Sequence, residues 1–203
     1  MIACLPPHTC YVEIFFNGDW RIFGKPFSLV EVINDRTGPG VLHLLHYMRY
    51  QPERILAFLS SNVKEEDPDL QRAGRCYQGL IAHWCRLQNE PEPVPVSVDA
   101  LRSTFYLPYQ RMKTVIWENR EWDVCMQTYD DPRTIQIIEP PWPDDAWDLF
   151  AALALRLFYA RSRWIVSIPN MPQLKSLFLP LIHPRLVCEE WQAGRVLFMN
   201  FNE

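Results

Sequence analysis

Eighteen prolines in 203 residues constrain this chain more than any other feature. A proline lacks a backbone N–H and fixes φ near about −65°, so it opens or ends an element rather than sitting inside one. Pro26, Pro39, Pro52, Pro132, Pro140, Pro141, Pro143 and Pro172 therefore cut the chain into short segments with defined edges. The densest run, NEPEPVPV at 89–96, forces a stiff, extended path. It marks an expected junction between 1–90 and 91–203, or a long surface loop within one interlocked domain.

Between the prolines, apolar spacing suggests the elements. Cys10–Phe16 and Trp20–Phe23 are predicted to form a hairpin around Asn17-Gly18-Asp19, because both residues of an Asn-Gly pair tolerate positive φ. Ser28 is placed to cap a short helix through Ile33. Three helices follow, with apolar stripes at Val41, Leu44, Leu45 and Met48, at Ile55, Leu56 and Leu59, and at Leu70, Ala73, Tyr77 and Trp84. Asp69 is the expected cap of the third. Val98–Phe105 reads as a short helix. Lys113–Glu118 and Trp122–Thr128 read as a second hairpin around Asn119-Arg120-Glu121.

Further along, Thr134–Ile138 reads as a strand. Asp144 and Asp145 then open a helix running to about Arg161, with acids in its first turn and a base in its last. That helix is apolar on nearly every face, which predicts a central buried position. Trp164–Ile168 and Arg195–Phe201 read as strands, and Pro172–Phe178 as a short helix. Hairpins and helices in blocks, without regular alternation, predict the α+β class.

Charge and cysteine usage limit the function. A formal net charge of −4 gives no basic field for general nucleic-acid or anionic-membrane binding. The longest apolar stretch, Leu149–Leu155 resuming at Leu157–Ala160, is too short to span a bilayer. Cys4, Cys10, Cys76, Cys85, Cys125 and Cys188 follow no disulfide framework, and MIACLPPHTC has no basic n-region. Reduced thiols in a cytoplasmic protein are expected.

No catalytic residue, metal site or cofactor rises from the motifs. His43 and His46 share a helix face, and Cys76 and His83 share another, but no Cys-x-x-Cys or His-Glu-x-x-His pattern accompanies them. His83 lies about 200° around a helix from Cys85, so it is badly placed as its base. The pairs Glu65-Glu66, Asp130-Asp131 and Asp144-Asp145 fit a charged loop, a turn and a helix start.

Two surfaces remain as candidates. In EPPWPDDAW, Trp142 is braced between prolines, with Asp144, Asp145 and Trp147 beside it. A rigid Trp loses little entropy on docking and anchors protein interfaces, and the carboxylates can steer a basic partner. Arg156, Tyr159, Arg161, Arg163 and Trp164 combine charge with rings, as single-stranded nucleic acid requires. The leading expectation is a non-catalytic protein-binding module: an adaptor, an inhibitor or a subunit of an assembly. The alternative is an accessory subunit of a nucleoprotein complex.

Overall fold

A computed structural model describes residues 5–16, 21–36, 39–60, 66–88, 110–141, 146–181, 187–192 and 194–201. The chain divides into two compact units. One comprises Met1–Asn17, Phe27–Arg36 and Ile116–Glu203; the other comprises Gly18–Pro26 and Thr37–Val115. The 89–96 stretch and Val98–Phe105 lie outside the described residues.

The first unit is built on one seven-stranded mixed sheet. Its strands are β1 (Cys10–Glu13), β2 (Val30–Asn34), β3 (Ile116–Glu118), β4 (Thr134–Ile138), β5 (Arg163–Pro169), β6 (Val187–Gln192) and β7 (Arg195–Met199). They lie in the order β3-β2-β1-β4-β5-β7-β6. The first five run parallel, and β7 is antiparallel to both β5 and β6. Helices and a mixed sheet together make this an α+β protein, as expected.

The pairing inside that class differs from the expected hairpins. Cys10 pairs in parallel with both Val30 and Thr134. Arg21–Gly24 is a 3-10 turn rather than a returning strand, and 17–20 lie outside the described residues. Val30–Asn34, in the segment expected to be helical after Ser28, is a strand because its β-branched residues fill a sheet position buried on both faces.

The second hairpin also gives way. Ile116–Glu118 pairs with β2, while Trp122–Thr128 forms a helix, α4. To avoid ambiguity, the helices are α1 (Pro39–Tyr50), α2 (Pro52–Ser60), α3 (Pro68–Gln88), α4, α5 (Trp147–Phe158) and α6 (Pro172–Phe178). In α4, Trp122, Cys125, Met126 and Tyr129 recur at i, i+3, i+4 and i+7 and pack against the core.

One face of the sheet carries that core. Val12, Val32, Ile138, Trp164, Val166 and Phe198 pack with Met126 of α4, Leu153 of α5 and Phe178 of α6. Each fully buried side chain of this size contributes about 1.5–3 kcal/mol by leaving water. Gln136, paired with Trp164, is also inside; its Nε2 donates to the Met126 carbonyl at 3.1 Å and to Ser162 Oγ at 2.9 Å. This ties α4 to the start of β5. Helix α5 spans Trp147–Phe158, shorter than the Asp144 to Arg161 read from the sequence, and its central position buries one face, through Phe150, Leu153, Ala154 and Leu157.

The second unit holds the 3-10 turn and α1–α3. Leu44, Met48, Ile55, Leu70, Ala73 and Tyr77 are buried there, on the stripes the sequence predicts. Asp67, not Asp69, caps α3, since its carboxylate accepts the Asp69 and Leu70 N–H groups at 2.9 and 3.3 Å. Pro68 then takes the first helical position, where its missing donor costs nothing.

Candidate functional site

In an open sheet with parallel strands, ligands bind outside the carboxyl ends where the strand order reverses. Here β1, β2 and β3 extend one way, and β4 and β5 lie on the other side of β1. The reversal therefore falls between β1 and β4, entirely within the first unit.

Four polar side chains collect at that edge. Glu13 ends β1, Asn34 ends β2, Asp35 follows β2 and Glu139 follows β4. All are buried, with exposures of 3%, 2%, 3% and 7%. Glu13 is registered with both Ile33 and Ile137, so Asp35 and Glu139 each lie two residues beyond its partners on the neighbouring strands. Three carboxylates far apart in sequence are thus brought to one end of three adjacent strands.

The backbone around them is held firmly. Past β1, the Ile14 N–H donates to the Ile137 carbonyl at 2.9 Å, and the Phe16 N–H donates to the Asn34 carbonyl at 3.1 Å. The Asn34 amide donates to the Ile14 carbonyl at 3.0 Å and the Arg120 carbonyl at 3.1 Å, and its Oδ1 accepts the Arg120 N–H at 2.9 Å. It joins the ends of β1 and β2 to the loop after β3. The Asp35 N–H donates to the Glu118 carbonyl at 3.1 Å, so Asp35 is fixed from both directions. Glu13 accepts the Tyr11 hydroxyl at 2.8 Å.

Glu118, at the end of β3, has a structural role. It accepts the Tyr129 hydroxyl at 2.7 Å and Arg120 Nε at 2.6 Å. Burial, and then the hydrogen bond to Glu118, push the Tyr129 hydroxyl well above the usual tyrosine range. Arg36 and Glu121 pair close by. These contacts hold the β3 end together, while Glu13, Asp35 and Glu139 lie nearer the strand reversal. Buried carboxylates in a low-dielectric setting favour hydroxyl, amine and cationic groups and disfavour anions.

The residues singled out from sequence stand in different environments. Trp142, Asp144 and Asp145 lie outside the described residues; Trp147, in the first turn of α5, is half exposed. Arg156 approaches Asp130 at 4.0 Å, and Arg163 donates to the Pro7 carbonyl at 2.7 Å. Trp164 is 1% exposed in the core, so it cannot stack on a nucleic-acid base while the sheet is intact. Tyr159 and Arg161 are exposed, and Arg156 and Arg163 are partly buried.

His43 Nδ1 stands 3.1 Å from an Asp69 carboxylate, and His46 is exposed. The His83 side chain is outside the described set. Among the described residues, no group of three or more His, Cys, Asp or Glu is placed to hold a metal ion. Cys85 and Cys125 are buried, and burial pushes the Cys125 thiol up to about 12.

Sequence reasoning missed Glu13, Asp35 and Glu139. Their signal was available: each ends an apolar, β-branched run, in CYVE, VEVIND and TIQIIE. Compared with known proteins, the chain matches no family model and no curated protein.

Proposed function

We propose that the protein binds a phosphate-free nucleoside, neutral or positively charged, in the crevice outside the carboxyl ends of β1, β2 and β4. The observation that carries this reading is the gathering of Glu13, Asp35 and Glu139 at the strand-order reversal. The order β3-β2-β1-β4-β5 is that of doubly wound nucleotide-binding sheets. In such sheets, an acid at the end of the second strand accepts hydrogen bonds from ribose hydroxyls. Asp35 occupies that position.

The same edge is poorly made for phosphate. Ile14-Phe15-Phe16-Asn17-Gly18-Asp19 follows β1 in place of a glycine-rich turn. The described part of the β1–β2 connection holds a 3-10 turn, not an α-helix whose N-terminus could receive a pyrophosphate. A cationic nucleoside bearing an amine or onium group finds carboxylates at this edge. An onium nucleoside suits a group-transfer enzyme, because the positive centre is itself an activated leaving group.

Calorimetric titration with adenosine, S-adenosylmethionine, ATP and NAD tests this reading. The cationic nucleoside should bind most tightly, and the phosphate-bearing ligands should bind at least about tenfold more weakly, or about 1.4 kcal/mol. Tighter binding of ATP or NAD, or no binding by any of the four, contradicts it.

A second reading retains a role in protein binding as an accessory subunit. The outward side of α5 supports it, where Trp147, Leu155, Phe158 and Tyr159 are 49%, 63%, 63% and 68% exposed. Large side chains clustered on one surface helix are typical of interaction sites. Its test is whether Leu155→Glu removes a native assembly without lowering thermal stability. Cys10, Cys76, Cys85 and Cys125 are not joined in disulfides, which favours a reducing, cytoplasmic setting for either role. No helix among the described residues is long and apolar enough to cross a membrane.

A further inference from the structure

We infer that the outer face of α5 pairs with the same face of a second copy of this chain, antiparallel and about a two-fold axis. This rests on the reading of α5 as a docking face and names its occupant. At about 100° per residue, Trp147, Asp148, Ala151, Leu155, Phe158 and Tyr159 fall on one side of the helix. Phe150, Leu153, Ala154 and Leu157 occupy the other side and are buried. The inner face is therefore committed to the core, and the outer face is apolar with a single acid.

The shape of that face complements itself. Leu155 projects one helical turn beyond Ala151 and Ala152, leaving a knob beside a gap. A two-fold axis between them seats each Leu155 over the small residues of the other copy. Such an isologous contact needs no second kind of surface. The helix spans 12 residues, or about 18 Å, so one pair of helices forms a weak, concentration-dependent dimer.

Charge selects the antiparallel arrangement. Asp148 lies at the start of the face, and exposed Arg161, whose charge also acts on Asp131, lies just past the end of the helix. Arg156 turns toward Asp130 and leaves the middle apolar. Antiparallel pairing brings Asp148 near Tyr159 and Arg161 of the second copy, where a hydroxyl and a cation meet a carboxylate. Parallel pairing would oppose Asp148 to Asp148 and align the two helix dipoles unfavourably.

Sedimentation velocity over roughly a hundredfold range of concentration tests the pairing. The wild-type chain should shift from monomer to dimer as concentration rises. Leu155→Glu should weaken the dimer by about tenfold or more by setting like charges near the axis. Asp148→Arg and Arg161→Asp should each weaken it, and the double exchange should recover most of the loss. Thermal melts of the dilute monomers should be unchanged for Leu155→Glu, which is exposed. They should be lowered only slightly for Asp148→Arg, which loses the acid in the first turn of α5, and for Arg161→Asp, which loses a charge acting on Asp131. A wild-type monomer at every concentration overturns the pairing, as does a double exchange that recovers nothing. A monomeric purified chain found in a native heterologous complex that Leu155→Glu abolishes would overturn self-pairing but leave the docking face standing. No assembly of either kind would remove both.

Discussion

The Asn34 side chain and the Arg120 backbone form a reciprocal pair: Asn34 Nδ2 donates to the Arg120 carbonyl at 3.1 Å, and the Arg120 N–H donates to Asn34 Oδ1 at 2.9 Å. A third bond, from the same amide to the Ile14 carbonyl at 3.0 Å, draws in the end of β1. One buried amide thereby sets the backbone from which Asp35 emerges. Asn34→Ala should cost about 1–3 kcal/mol, since it takes the donor from the buried Ile14 carbonyl and both bonds from the Arg120 backbone. Asn34→Asp keeps the acceptor but turns a buried carboxylate oxygen on the Ile14 and Arg120 carbonyls, and should cost at least as much as Asn34→Ala. Urea unfolding of the three proteins checks the order.

A similar tie holds the turn between α5 and β5. Asp130 Oδ1 accepts the Arg161 N–H at 2.9 Å and the Ser162 N–H at 2.8 Å. Asp130→Ala should destabilise the protein by about 1.5–3 kcal/mol, the range for hydrogen bonds to a charged group. Asp130→Asn keeps an acceptor and should recover part of that. Chemical denaturation followed by tryptophan fluorescence measures both.

The α3 cap predicts a pH dependence. The Tyr47 hydroxyl bond at 2.8 Å is the main cause holding Asp67 below the ordinary carboxylate value, helped by the Asp69 and Leu70 N–H groups and Arg54. A depressed folded value means the stabilisation is complete above the unfolded value, about 3.9 for Asp. It is lost as pH falls through the lower folded value. The stability difference between wild type and Asp67→Asn should therefore shrink below about pH 4. A difference that grows on acidification would reverse the assigned sign.

Thiol chemistry offers an independent check on the core. Burial first, and then the Glu118 charge, raise the Cys125 thiol to about 12, so little thiolate exists at neutral pH. Native protein treated with an alkylating agent should leave Cys125 unmodified, and denatured protein should not. Peptide mapping by mass spectrometry distinguishes the two. Modification of Cys125 as fast as a free thiol would place it outside the core.

What could be read from the sequence was what short-range pattern specifies. Thr134–Ile138 and Pro172–Phe178 lie where their β-branched run and opening proline place them. The proline-led helices α1 and α2 are similarly local. Partners of Cys10–Glu13 are not local: they come from Val30–Asn34 and from Thr134–Ile138, over a hundred residues on. Parallel strands buried on both faces lack the alternation that marks a hairpin. Trp122, Cys125, Met126 and Tyr129 carried a helical period inside a segment that also reads as alternating. The site depended on the same non-local step, since Glu13, Asp35 and Glu139 fall at one end of neighbouring strands only once the strand order is known.

A crystal structure with S-adenosylmethionine bound tests the central claim most directly. The nucleoside should lie outside the ends of β1, β2 and β4, with ribose hydroxyls within hydrogen-bond reach of the Asp35 carboxylate. Asp35→Ala should then weaken binding by about tenfold or more, the scale of a lost hydrogen bond to a charged group. A ligand seated elsewhere on the chain, or one bound equally well by Asp35→Ala, would contradict it.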